Sequence, residues 1–142
     1  MEMNGTTLIS RPIDAVFAYV KDVSNDVHWR NGVTESGIRE GEISSPGSIG
    51  YTRVGDTEVE WRILSYTAGE SVDWELLNGP IRGRGGYRLE PVNGGTRFTL
   101  VADVEPSGLY KLLGPIFVWI GRRRNQADVE KLRDILESKP EL

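Results

Sequence analysis

Residues Thr57 to Leu77 read TEVEWRILSYTAGESVDWELL, and this stretch decides the fold. Val59, Trp61 and Ile63 alternate with Glu58, Glu60 and Arg62; beyond Ala68-Gly69, Val72, Trp74 and Leu76 alternate with Asp73 and Glu75. Strict alternation of this kind marks strands with one buried and one solvated face. A connection so short joins antiparallel neighbours, because a parallel crossover needs a dozen residues or more.

The pattern extends both ways. Turn signals at Ser45-Pro46-Gly47, Gly55-Asp56, Asn78-Gly79-Pro80 and Asn93-Gly94-Gly95 separate strands predicted over Thr34–Arg39, Ser48–Arg53, Glu58–Tyr66, Ser71–Leu77, Arg82–Glu90 and Thr96–Glu105. A first strand is predicted to end near Ile9. Tyr87 and Leu89, then Phe98, Leu100, Ala102 and Val104, join the inner face, while Arg84, Arg88, Glu90, Arg97, Thr99 and Asp103 take the outer one.

Helical spacing appears at both ends. Ser10 is predicted to cap a helix with Pro12 in its first turn and a buried stripe of Ile13, Val16, Phe17 and Val20. Ser24, Asn25 and Asp26 offer a second cap ahead of a short helix carrying His28 and Trp29 and ending at Asn31-Gly32. From Gly108 to Glu137 one long helix is predicted, apolar through Leu109, Leu112, Leu113, Ile116, Phe117 and Ile120 and more sparsely through Val129, Leu132 and Leu136. Gly114-Pro115 is expected to kink it.

A chain of 142 residues, 38% hydrophobic and 27% charged, suits one soluble α+β domain. A net charge of -4 gives no footprint for nucleic acid, and the absence of cysteine removes disulfides, thiolate metal sites and thiol nucleophiles. The most apolar run, Leu109 to Ile120, is interrupted by Lys111, Gly114 and Pro115 and falls short of the roughly 20 residues of a membrane span. No stable membrane insertion is expected, and a cytoplasmic location is the default.

The order strand, two short helices, six strands and a long helix resembles the START-like superfamily, also called SRPBCC, in its polyketide cyclase/dehydrase and lipid-transport branch. The resemblance rests on Pro12-Ile13-Asp14-Ala15-Val16-Phe17 followed by Asp22 and Trp29, on Gly94-Gly95-Thr96-Arg97-Phe98-Thr99, and on Leu132-Arg133-Asp134-Ile135-Leu136-Glu137. It implies a helix-grip fold, with a seven-stranded antiparallel sheet curved around the last helix. It also implies a cavity between them for a lipid, hormone, polyketide or other apolar molecule. It carries over no catalytic motif, because fold does not fix function.

Candidate ligand-binding residues follow from the faces: Trp61, Trp74, Tyr87, Phe98 and Leu100 on the sheet, opposite Leu113, Phe117 and Ile120 on the helix. The indole N–H and phenol O–H groups would orient a ligand's polar end; the alternative is that these rings simply fill the core. An empty pocket of roughly 300 Å³ would cost up to about 7 kcal/mol, which favours one that is usually occupied.

Arg82-Gly83-Arg84-Gly85-Gly86 offers two readings. One is a bulge turning an arginine such as Arg84 inward as a polar anchor for a carboxylate or enolate; the other is a place where another backbone approaches closely. The outer carboxylates Glu58, Glu60, Asp73 and Glu75 are expected to pair with arginines on neighbouring strands rather than to catalyse.

His28 is the only histidine, so no metal site or serine relay is expected, and no cofactor is implied. Arg122-Arg123-Arg124 reads either as a solvated helix face or as a contact for anionic lipid headgroups. The leading function is non-catalytic binding of a small hydrophobic molecule. A cyclase/dehydratase-type enzyme using the same cavity and a protein-interaction module with an unknown partner are the alternatives.

Overall fold

The computed structural model describes residues 1–79, 81–106, 112 and 114–138. The strands are β1 (Gly5–Ile9), β2 (Val33–Glu40), β3 (Ile49–Val54), β4 (Thr57–Thr67), β5 (Ser71–Leu76), β6 (Ile81–Val92) and β7 (Gly95–Pro106). They form one antiparallel sheet in the order β1-β7-β6-β5-β4-β3-β2. The helices are α1 (Ile13–Lys21), α2 (Asp26–Trp29) and α3 (Gly114–Ser138), with a short 3-10 turn at Val23–Asn25. This is the α+β helix-grip architecture, and every predicted strand is present to within a few residues.

Alternation sorts the sheet as expected, with one irregularity. Trp61, Ile63, Val72, Tyr87, Leu89, Phe98 and Leu100 are buried on the inner face. A bulge between Ile63 and Ser65 shifts the register of β4 against β5, so that Tyr66 pairs with Val72 and its ring meets Phe17 of α1 at 5.6 Å. The outer face is tied by ion pairs: Arg39 to Glu58 and Glu60, Arg53 to Glu35 and Glu58, Arg62 to Glu75, and Arg88 to Asp73. The carboxylates set aside as non-catalytic are therefore partnered across strands.

The helix starts differ from the sequence reading. Ser10 does not cap α1; its N–H donates to Glu137 at the far end of the chain, and Pro12 occupies the capping position without a side-chain bond. Asp22, two residues ahead of the expected cap, accepts from the Ser24 N–H and starts the 3-10 turn. Pro115 does not kink α3, because the helix begins at Gly114 and places the proline in the first turn, where a missing N–H has no helical partner to lose.

The two halves of α3 have exchanged the roles that apolar density suggested. Its sparse C-terminal half supplies Val129, Leu132 and Leu136, all fully buried in the core. The apolar front half is largely outside: Ile116 is 56% exposed, Trp119 59% and Ile120 45%. Glycine explains the inversion, since a Cβ on Gly121 would run into the side chain of Met3, so this face is the one that approaches the N-terminal segment. The bulky residues are thereby turned outward. Leu109 and Leu113 lie outside the described residues.

The β1 edge of the sheet is also covered. The side-chain amide of Gln126 on α3 accepts from the Thr6 N–H at 3.0 Å and donates to the Thr6 carbonyl at 2.9 Å, imitating one rung of a further strand along β1.

Candidate functional site

Four consecutive strands contribute one aromatic each to a row across the inner face. Trp61 of β4 lies 6.4 Å from Trp74 of β5, Trp74 lies 4.9 Å from Tyr87 of β6 in an edge-to-face contact, and Tyr87 lies 5.4 Å from Phe98 of β7. Trp29 of α2 closes the row, with its ring 6.1 Å from Tyr87 and 5.9 Å from Phe98. Such contacts each add about 0.5–1.5 kcal/mol beyond the area they bury.

Glycines make the row possible. A Cβ on Gly85, the register partner of Trp74, would sit 2.7 Å from the indole Nε1, and Gly50 stands in the same relation to Trp61. The glycine-rich segment is thus a place of close approach. The inward arginine is not found: β6 pairs with β7 without a break from Ile81 to Val92, and Arg82 and Arg84 are both exposed. Arg84 instead borders a depression of about 420 Å³ on the outer face with Asp73, Arg88 and Asp103.

The remaining candidates divide into sealed and open ones. Phe98 and Leu100 are sealed into the core, and Tyr87 is 2% exposed. The Trp61 indole N–H is committed to the Thr52 hydroxyl at 3.0 Å, so it does not serve as a ligand donor. Trp74 and Leu76 on β5 remain only half-buried, as does Phe117 on α3. Ile120 does not face the sheet, because the Gly121 contact rotates it outward, and Leu113 falls outside the described residues.

An inward acid that alternation does not reveal sits beside this row. Asp26, at the first position of α2, is 6% exposed, and its Oδ1 has no hydrogen-bond partner. Burial pushes its carboxyl up to about 7, against the pull of Arg30 and a hydrogen bond from Ser36. The neighbouring Tyr87 phenol is also raised well above its ordinary value, first by burial and then by the Asp26 charge. The indole N–H of Trp29 is likewise buried without a partner. Arg30 stacks over Trp29 at 5.3 Å and bonds Asp128 of α3 at 3.2 Å, while Asp128 also accepts from the Asn31 N–H at 3.1 Å. A carboxyl, a phenol and an indole therefore meet where α2 touches the sheet. The sequence signal for Asp26 was hidden by its place in the cap-like run Ser24-Asn25-Asp26, and His28 beside it is exposed.

Comparison with known proteins places this geometry in context. A family model described as "Polyketide cyclase / dehydrase and lipid transport" matches residues 2–137. The chain is 15% identical to TTHA0849 from Thermus thermophilus, with a TM-score of 0.78 and coverage of 99% of this chain and 100% of that one. It is 15% identical to BH1534 of Bacillus halodurans, with a TM-score of 0.76 over 96% and 97% of the two chains. It is 13% identical to the Zhui aromatase/cyclase from Streptomyces sp. R1128, with a TM-score of 0.72 over 96% and 93%. At these identities the likeness is one of fold. No curated protein matches the sequence.

Proposed function

Because the chain belongs to the polyketide cyclase/dehydrase and lipid transport family, within the START-like superfamily, we propose that it binds a small hydrophobic or amphipathic molecule, such as a lipid, quinone or polyketide. The site is the inner face of β4 to β6 around Trp74 and Leu76. The observation that carries this reading is the exposure of the row's middle. The buried half of α3 seals Phe98 and Leu100 into the core, yet Trp74 and Leu76 stay half-buried, leaving indole and alkyl surface for a ligand to cover.

The test begins with protein unfolded, extracted with organic solvent and refolded, so that co-purifying ligand is gone. Thermal unfolding is then followed with fatty acids, phospholipids, quinones and aromatic polyketides. A stabilising member is expected, by about 2.7 kcal/mol at a hundredfold excess over Kd, and Trp74→Ala is expected to weaken its binding. No shift with any class, together with no retained small molecule in native mass spectrometry, overturns the reading.

A second reading, a cyclase/dehydratase-type enzyme in the same cavity, is favoured by Asp26. A carboxyl held protonated near neutrality beside a phenol is suited to give a proton to a carbonyl oxygen during ring closure, and the aromatase/cyclase among the fold's relatives makes such a substrate a natural one to try. Incubation with a linear poly-β-ketone should yield cyclised product faster than buffer alone, and Asp26→Asn should remove that gain. Equal rates with wild type, variant and buffer exclude it.

A further inference from the structure

We propose that the front half of α3 docks the protein onto an anionic bilayer surface. Ile116, Trp119, Ile120 and Arg123 follow one another at the spacing of a single helical stripe. At about 3.6 residues per turn this stripe lies on the side of α3 away from Gly121, the residue that contacts the N-terminal segment. The three apolar residues are 45 to 59% exposed, and Leu112, just ahead of the helix, is 81% exposed. Elsewhere in the described residues large apolar side chains reach the surface singly, Leu8 at 54% being the most exposed of them, so this is the protein's concentrated apolar patch.

Charge identifies the occupant. Arg39, Arg53, Arg62 and Arg88 of the outer sheet face are paired with carboxylates. Arg122, Arg123 and Arg124 are treated differently: Arg122 donates to the Glu2 carbonyl, Arg124 to the Asn31 carbonyl, and Arg123 stacks over Trp119 at 4.9 Å. Among the described residues none of the three has a carboxylate partner. A chain of net charge -4 thus keeps three positive charges unneutralised beside its exposed tryptophan. Apolar side chains that enter the headgroup boundary, a tryptophan at interfacial depth and arginines for lipid phosphates are the components of an interfacial helix.

The experiment uses the full chain with vesicles of phosphatidylcholine alone or with phosphatidylglycerol. Trp119 is the exposed indole, Trp29 and Trp61 are buried and Trp74 is half-buried, so in a Trp74→Phe background acyl-brominated lipid mixed with phosphatidylglycerol reports the insertion of Trp119 by quenching. Expected results are quenching that disappears in Trp119→Phe, partition to anionic vesicles that high salt weakens, and loss of about fivefold in partition for each of the three arginines changed to Gln. Equal partition to neutral vesicles, quenching that survives Trp119→Phe, or no partition at low salt overturns the proposal. So does a concentration-dependent dimer that Trp119→Ala dissolves without vesicle binding, since a second copy would then own the surface. Because the readout needs no cavity ligand, its failure leaves the proposed function standing, and the reverse holds too.

Discussion

The indole nitrogen of Trp74 lies over the α carbon of Gly85 on the neighbouring strand, at a distance that leaves no room for a methyl group. A substitution at Gly85 therefore acts through the tryptophan. Gly85→Ala is expected to cost about 1–3 kcal/mol as the ring is forced off its rotamer, and to change the near-ultraviolet circular dichroism of the aromatic row. Urea unfolding with the same near-ultraviolet signal measures both.

Asp26 gives the protein a pH dependence of definite sign. Its folded carboxyl titrates at about 7 against an ordinary value of 3.8, so the native state holds the proton more tightly than the unfolded chain does. The stability it confers is full below pH 3.8 and is lost as the pH climbs to 7, a difference on the order of 4 kcal/mol. Asp26→Asn should flatten this component and raise stability above pH 7 relative to wild type. Paired denaturant titrations across that window check it, and parallel wild-type and variant profiles refute it.

The two halves of α3 should respond oppositely to truncation. Leu132→Ala removes a fully buried side chain and is expected to cost about 2–5 kcal/mol, whereas Ile120→Ala should stay within about 0.5 kcal/mol of wild type. Thermal or urea unfolding of the pair suffices, and equal losses would contradict the packing described.

Asp128 joins α3 to α2 by accepting from Arg30 and from the Asn31 backbone. Asp128→Ala should cost about 2 kcal/mol, and about 0.5 M salt should not abolish the effect because the carboxylate is only 8% exposed. Stability measured at two salt concentrations tests this.

Strand alternation made the sheet legible, since Trp61, Trp74, Tyr87 and Phe98 each announce their face through charged neighbours on the same strand. The orientation of α3 was not legible in the same way. Apolar density from Leu109 to Ile120 pointed to the wrong half, and the deciding contact is a glycine meeting Met3, far earlier in the chain. Asp26 escaped for a related reason. Beside Ser24 and Asn25 it has the composition of a cap, and only the tertiary contacts that bring the distant Ser36 and Tyr87 beside it turn it into a buried acid. The Arg84 anchor failed because unbroken pairing of β6 with β7 keeps alternation intact through the glycines.

The amide that Gln126 lends to Thr6 has a consequence for the protein's life in a crowded solution. An edge strand with free N–H and C=O groups is a template on which another chain can grow, and β1 would be such a template if α3 only lay beside it. By filling one rung with a side chain that cannot propagate the ladder, the helix terminates hydrogen bonding there. The opposite border, β2, defends itself with charge through Glu35, Arg39 and Glu40. Of the two borders, one is plugged and the other is guarded by charge, and resistance to sheet-to-sheet polymerisation is written into both.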